Sequence, residues 1–431
     1  MLSVEENALL SRVGPGTPMG TLMRRYWLPA LLSDELPSPD CAPVRLRLLG
    51  EDLVAFRDTE GRAGVLEEGC PHRRASLWLG RNEESGLRCV YHGWKFDITG
   101  RCLDQMNEPE SFADKVRAVA YPATERGGVI WVYMGLEDQT PPLPDFEYTR
   151  VPDDKRAVTR VWEECGWLQA LEGGIDSSHA PILHRNFVSV ANDDGRAGGA
   201  MWRTGPPVLE VDETDYGYRY AGIRPLGAES QYVRGYHFVM PFTQLRPGSA
   251  GVERIPTYVS GHHWVPIDDH NCMVWNWHYS YGEDELTEQY RTMERDGDSA
   301  RYVDRTNAFR AYGNRRNDWL IDREAQKNVS FTGIDGIHAQ DRAIQESMGS
   351  IVQRERENLG PADRAIIVAR RLLLDEVRAV EDGKTPRGVA DSYYNLRAIE
   401  RIFSKDQPWR DVLLPLMYPA QKDAVAATTA R

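Results

Sequence analysis

Between residues 41 and 140, apolar and polar positions alternate with a period of two. Val44, Leu46 and Leu48 are interleaved with Arg45 and Arg47, as in a strand that buries one face. The runs LVAF (53–56) and VIWVYMG (129–135) read as further strands, and Gly61, Gly100, Gly127 and Gly128 supply turns between them. This part predicts a small antiparallel β domain. Residues 1–40 read as helical and then loop-like. Gly14, Pro15, Gly16 and Pro18 break the first helix, a short Tyr26–Trp27 segment follows, and Pro37 and Pro39 close the region. It is expected to pack on the larger domain. The stretch TPPLPDFEYTRVPDD (140–154), rich in proline and acid, predicts a boundary. The chain thus divides at 1–40, 41–140 and 141–431.

The third part is mixed. YGYRYAGI (216–223), YVRGYHFVM (232–240) and CMVWNWHYSY (272–281) read as strands, the last with Trp275, Trp277 and Tyr279 on one face. PADRAIIVARRLLLDEVRAVEDG (361–383) predicts a helix. Pro361 suits its first turn and Gly383 its stop, and Ile366, Ala369, Leu373, Val377 and Val380 recur at steps of three and four. The tail AVAATTAR (424–431) is expected to lack order, and no internal repeat is present. The fold class is α+β.

Composition narrows the function. The 431 residues suffice for two or three cores, and the 41% hydrophobic and 10% aromatic content is ordinary for a globular chain. No apolar run approaches the roughly 18 residues of a membrane span. The first residues carry Glu5 and Glu6 and no basic flank ahead of an apolar run, unlike a secretory signal, so the chain is read as cytoplasmic. A net charge of −13 argues against nucleic-acid binding, which needs a basic footprint. Cys41, Cys70, Cys89, Cys102, Cys165 and Cys272 are too few in this length for a disulfide scaffold. Two of them stand close to histidines.

Those two are in CPHR (70–73) and CVYHGWKF (89–96), giving C-x-H, sixteen residues, then C-x-x-H. Two thiolates and two imidazoles arrive as two short Cys–His pairs in turns. Cys70, His72, Cys89 and His92 are the ligand set of a Rieske [2Fe–2S] cluster, in which two cysteines hold one iron and two histidines the other. Two Cys and two His also satisfy tetrahedral zinc, but zinc fingers usually place both cysteines before both histidines. Pro71, Gly93 and Trp94 flank the ligands as in the Rieske pattern.

On these segments, together with GPGTPMGTLMRRYW (14–27), CVYHGWKFDITG (89–100) and AQDRAIQESMG (339–349), the sequence resembles the oxygenase subunits of Rieske non-haem iron ring-hydroxylating oxygenases. Within them it is most similar to the phthalate dioxygenase-like group, which includes phenoxybenzoate and chlorobenzoate oxygenases and some aryl O-demethylases. The resemblance runs over nearly the whole chain. It implies a larger helix-grip catalytic domain, an antiparallel sheet with helices, beside the Rieske domain. Arg74 departs from it, since the family commonly has glycine after CPHR.

An oxygenase of this kind needs a second metal, a mononuclear Fe(II) with open positions, held by two histidines and a carboxylate. DSSHAPILH (176–184) offers His179 and His184 with four residues between them. Pro181 disturbs the helix there, so the rings can converge. D-x-x-H-x-x-x-x-H is also the family's iron motif. For the third ligand the resemblance points to Asp341, with Asp335 and Glu346 as alternatives. Asp176 lies too near His179 to be an easy co-ligand. The resemblance implies that it joins His92 of one subunit to His179 of the next, and hence a homotrimer or hexamer. The family often has Asn where Glu172 stands. His262, His263, His270 and His278 read as satisfied or pocket-lining side chains.

The resemblance implies electrons from a separate NAD(P)H-dependent flavin and iron–sulfur reductase, as no nucleotide-binding glycine motif is evident here. It further implies O2 as co-substrate and cis-dihydroxylation of an aromatic carboxylate. Such an anion calls for a buried cation; Arg203, Arg219, Arg224, Arg234 and Arg246 are candidates, and Arg234 is favoured for its place in YVRGYHFVM. Aryl O-demethylation or ether cleavage by the same iron is the alternative. A bare Rieske electron carrier would not need DSSHAPILH or so long a chain.

Overall fold

The computed structural model describes residues 2–185, 205–248, 257–283, 286 and 302–419. Arg203 and the tail 424–431 lie outside them. The chain forms two compact units. One comprises Met1–Ser11, Pro144–Val265 and His270–Arg431; the other comprises Arg12–Leu143 and Pro266–Asp269.

The smaller unit carries three antiparallel sheets. Val44–Leu48, Glu51–Arg57, Ala63–Glu67 and Ala120–Tyr121 form one, and Arg81–Glu83, Gly86–Arg88, Trp94–Phe96 and Cys102–Gln105 another. Trp27–Leu32 and Ala123–Arg126 flank Val129–Tyr133 in the third. The strand Trp27–Leu32 departs from the loop expected there and ties residues 12–40 to this unit rather than to the larger one. All six of its residues are buried, so WLPALL shows no alternation. Pro29 reads as a breaker in sequence but sits where the pairing register shifts, a place that tolerates a residue without an N–H. Val54, Phe56, Leu66, Leu77, Leu87, Trp94 and Phe96 form a core that also takes in Cys70 and Cys89.

The larger unit is built on one sheet. Its order is Val208–Thr214, Gly217–Leu226, Ser230–Val239, Thr243–Pro247, Tyr258–Asp268, Asn271–Ser280, Arg156–Glu163, Arg310–Ala311 and Val303–Asp304, with Ile399–Ser404 pairing Ser230–Val239. The helices of this unit include α1 (Val4–Ser11), α2 (Trp167–Ile175), α3 (Ala180–Leu183), α4 (Ile337–Ser347) and α5 (Arg364–Glu381). Ile366, Ala369, Leu373, Val377 and Val380 are all buried on α5, and Gly383 just beyond it has φ +77, the left-handed stop glycine provides cheaply.

Two features of this unit prepare a site. The aromatic face of Asn271–Ser280 is buried, yet so are Asn276 and His278 on the other face; polar side chains held away from water usually have a task or partners. In α2, a Cβ on Gly173 would lie 2.3 Å from Gln345 Nε2 of α4, and one on Gly174 would lie 2.1 Å from the Trp264 ring. The bare glycines let α4 and the sheet close on the C-terminal end of α2. Among the described residues no helix is long and apolar enough to cross a membrane.

Candidate metal centres

The two Cys–His segments of the smaller unit fold into loops of one design. Cys70 N donates to Ala75 O (2.8 Å) and Arg74 N to Cys70 O (2.8 Å). Cys89 N donates to Trp94 O (2.8 Å) and Gly93 N to Cys89 O (2.9 Å). The fifth residue of each loop is left-handed: Gly93 has φ +79 and Arg74 has φ +62. A non-glycine residue there costs on the order of 1 kcal/mol. The Arg74 guanidinium is braced on both Glu67 carboxylate oxygens and on Gly69 O, which holds the loop at the end of Ala63–Glu67.

Cys70 and Cys89 are 1% and 2% exposed. The His72 and His92 rings lie 4.4 Å apart, and His72 stacks on Trp94 at 4.5 Å. His72 Nδ1 is buried with no hydrogen-bond partner, as befits a nitrogen whose partner is a metal. Burial above all pushes the Cys70 thiol up to about 12, with the Cys89 sulfur adding to it, so the thiolate form calls for a cation. Among the described residues, the cluster of three or more ligand atoms within 4.8 Å of one another is formed elsewhere. Two cysteines and two histidines delivered as two Cys–His loops are the ligand set of a two-iron Rieske cluster.

That tighter cluster is His179, His184 and Asp341, in the larger unit. α2 ends at Ile175, and α3 begins at Ala180 with Pro181 in its first turn, so His179 and His184 flank one helical turn. Their rings meet at 5.3 Å. α4 brings Asp341 Oδ1 to 3.4 Å from His179 Nε2 and 3.0 Å from His184 Nε2. The outer nitrogens have their own partners: Asp176 Oδ2 is 3.4 Å from His179 Nδ1, and Gln340 Oε1 is 2.8 Å from His184 Nδ1. Burial works against a charged His179, but Asp176 and Asp341 outweigh it and push the imidazolium up to about 10. Burial likewise opposes ionisation of Asp341, yet the two imidazoles hold its carboxyl well below the usual range. The pocket favours positive charge, and two imidazoles with a carboxylate suit a divalent iron.

Asp176 is the C-cap residue of α2, its backbone N–H donating to Glu172 O (3.0 Å). Its Oδ1 accepts from Ser178 N and Oγ (2.6 and 2.7 Å), leaving Oδ2 toward His179. Of the other acids considered, Asp335 accepts from Tyr302 (2.9 Å). Glu346 is taken by Glu164 N (2.9 Å) and the Trp319 indole (2.6 Å). Glu172 is not part of the cluster: it is buried between Arg354 and Arg370, at 3.0 and 2.6 Å. His262, His263 and His278 are buried on strands, with His262 Nδ1 2.7 Å from Asn276 Oδ1.

Arg234 lies opposite Glu400 in the sheet register and pairs with it at 3.0 Å, while donating to Pro247 O (2.9 Å). Its charge is spent inside the fold, which overturns the preference for it as the substrate's cation. Arg219 pairs with Asp212, and Arg224 is fully buried and donates to Ser177 O (2.6 Å). Arg246 is half-buried; its Nε donates to Ser260 Oγ (3.0 Å) and its Nη2 lies 3.4 Å from His338 Nε2. His338 precedes Asp341 by three residues on α4 and so shares its face.

Two candidate metal centres of these types, on a small, mainly β unit and a sheet-and-helix unit, point to an iron–sulfur oxygenase. The family model of the Rieske [2Fe-2S] domain matches residues 26–118, and that described as LigXa C-terminal domain like matches residues 132–429. The chain is 39% identical to the phthalate 4,5-dioxygenase oxygenase subunit of Pseudomonas putida, over 95% of this chain and 94% of that one. It is also 39% identical to the 3-chlorobenzoate-3,4-dioxygenase oxygenase subunit of Comamonas testosteroni, over 95% and 97%. Dicamba monooxygenase, solved with dicamba bound, shares the fold at 18% identity, with a TM-score of 0.58 over 84% of this chain and 100% of that one. The chain belongs to the Rieske non-haem iron oxygenases, in the phthalate dioxygenase-like group. Its cofactors are therefore a [2Fe–2S] cluster and a mononuclear iron.

Proposed function

We propose that the protein oxidises an aromatic carboxylate, by cis-dihydroxylation, with electrons drawn from a separate NAD(P)H-dependent reductase. Cys70, His72, Cys89 and His92 hold the cluster, and His179, His184 and Asp341 hold the iron. The observation that carries this reading is the convergence of His179, His184 and Asp341 in a chain that also folds two Cys–His loops. When bound, the cluster supplies electrons singly and the iron supplies open positions for dioxygen beside the substrate.

The side chains do the rest. Three protein ligands would leave coordination positions of the iron free for dioxygen. Asp176 orients His179 through its Oδ2 and, by analogy with the family, accepts a second hydrogen bond from His92 of a neighbouring subunit in a trimer or hexamer, joining the two centres by one polar path. Arg246 replaces Arg234 as the residue that holds the substrate's carboxylate, because it is half-buried beside His338, on the Asp341 face of α4. The two 39%-identical relatives, named for phthalate and 3-chlorobenzoate, support an aromatic acid as substrate.

The test is product analysis with a reductase, NADH and a panel of phthalates, halobenzoates and methoxybenzoates. A cis-diol from an aromatic acid is expected; a phenol and an aldehyde from a methoxybenzoate would favour O-demethylation instead. Arg246→Gln should raise KM for the acid by roughly 10–100-fold, the loss of a charge-assisted hydrogen bond, and leave a neutral analogue little changed. Equal effects on both substrates would remove Arg246 from this role.

A further inference from the structure

We infer that Gln340 is a positioning residue that sets the tautomer and plane of His184; this rests on the reading of His179, His184 and Asp341 as the iron site. His184 is 5% exposed and Gln340 2%. His184 Nδ1 lies 2.8 Å from Gln340 Oε1, and its Nε2 lies 3.0 Å from Asp341 Oδ1.

The orientation of the Gln340 amide follows from its other partners. Its nitrogen is 2.8 Å from the Ile334 carbonyl oxygen and 2.9 Å from Thr332 Oγ1. A carbonyl only accepts, so the group facing Ile334 is the NH2. The oxygen must then face His184, and an oxygen that only accepts demands a proton on Nδ1. Thr332 fits the same polarity. Its hydroxyl donates to Ile334 O (3.2 Å) and accepts from Ile334 N (3.1 Å) as well as from Gln340. Hydrogen-bond direction is thus fixed from a backbone carbonyl through Gln340 to the imidazole. The Nε2 lone pair is left aimed at the side where Asp341 and His179 stand.

The two histidines are oriented by unlike partners, a carboxylate for His179 and a neutral amide for His184. The amide orients the ring without adding a second negative charge. Gln340 and Asp341 are also consecutive on α4, so one stretch of helix delivers both a ligand and the group that orients another.

The experiment compares Gln340→Met, similar in length but without the acceptor, with Gln340→Glu, which keeps one, and with His184→Ala. The readouts are iron content and the rate of iron loss to a chelator, with the cluster's EPR signal and thermal melting as controls. Gln340→Met should lose iron about 10–100-fold faster, with the cluster signal and melting close to wild type, and Gln340→Glu, which keeps the acceptor toward His184 but not the donor toward Ile334, should lose it more slowly than Gln340→Met. The inference is overturned if Gln340→Met holds iron as tightly as wild type while His184→Ala loses it. If His184→Ala itself keeps its iron, the iron-site reading fails and the inference with it. Should Gln340→Met not fold, Thr332→Val removes one anchor of the amide. It should speed iron loss several-fold, and an unchanged rate would overturn the inference.

Discussion

Arg74 and Gly93 hold equivalent places in the two cysteine–histidine loops, both left-handed. The glycine there meets the backbone requirement directly, whereas the arginine meets it with its side chain tied to Glu67 and Gly69. At the same scale, Asp176 divides its oxygens between Ser178 and His179. Asp176→Asn keeps the oxygen that accepts from Ser178 but removes the charge that faces the imidazole. It should retain cluster and iron, take up electrons from the reductase, and then fail to pass them on. Turnover should fall by roughly 100-fold, the range seen when an outer partner of a metal ligand is removed. Stopped-flow oxidation of the reduced variant checks this, and near-normal turnover would leave Asp176 a mere cap. The proposed ligand residues stand out in the sequence because their spacing is local: C-x-H, C-x-x-H and D-x-x-H-x-x-x-x-H each lie within one loop or turn. Asp341 was reached only through family resemblance. Gln340, Arg246 with His338, and the Glu400 that occupies Arg234 were not legible, because each depends on segments far apart in sequence.

Among the elements, the strand Arg156–Glu163 ends under α4 with a carboxylic acid that has little access to water. Glu163 is 4% exposed. Burial pushes its carboxyl up to about 8, Arg342 offsets part of this, and Glu346 and Asp341 add to it. A folded value above the unfolded one, 4.5, means that the folded state binds the proton more tightly. That contribution to stability is fully present below about pH 4.5 and is lost as pH rises toward 8. Glu163→Gln removes the titration. Relative to wild type, the variant should gain roughly 4 kcal/mol between pH 5 and pH 8.5, measured by urea unfolding. Parallel pH curves for the two proteins would contradict this. The long helix α5 was legible to its caps because its apolar period is regular. The strand Trp27–Leu32 was not, because a strand buried on both faces loses its alternation.

For the whole molecule, the division falls at Leu143/Pro144, within the proline-rich stretch 140–154. The return of residues 266–269 to the smaller unit and of residues 1–11 to the larger is set by tertiary pairing, such as Leu49 N to Pro266 O at 3.1 Å and Asn7 Nδ2 to Val352 O at 2.9 Å. No local pattern encodes either. If electrons pass from the cluster of one subunit to the iron of the next, two inactive variants should complement each other. Cys70→Ser, lacking the cluster, and His184→Ala, lacking the iron, should each be inactive alone. Co-expressed, they should form mixed oligomers with a measurable fraction of wild-type activity. Mixed oligomers with none would confine transfer to a single subunit.

The most direct test is a single turnover without the reductase. The protein, loaded with both metals and chemically reduced, is mixed with an aromatic carboxylate and 18O-labelled dioxygen. The reduced-cluster EPR signal should disappear as labelled hydroxylated product forms, and His184→Ala, with its cluster intact, should yield none. Cluster oxidation without labelled product in the fully loaded protein, for every aromatic acid of the panel, would contradict oxygenation at this iron.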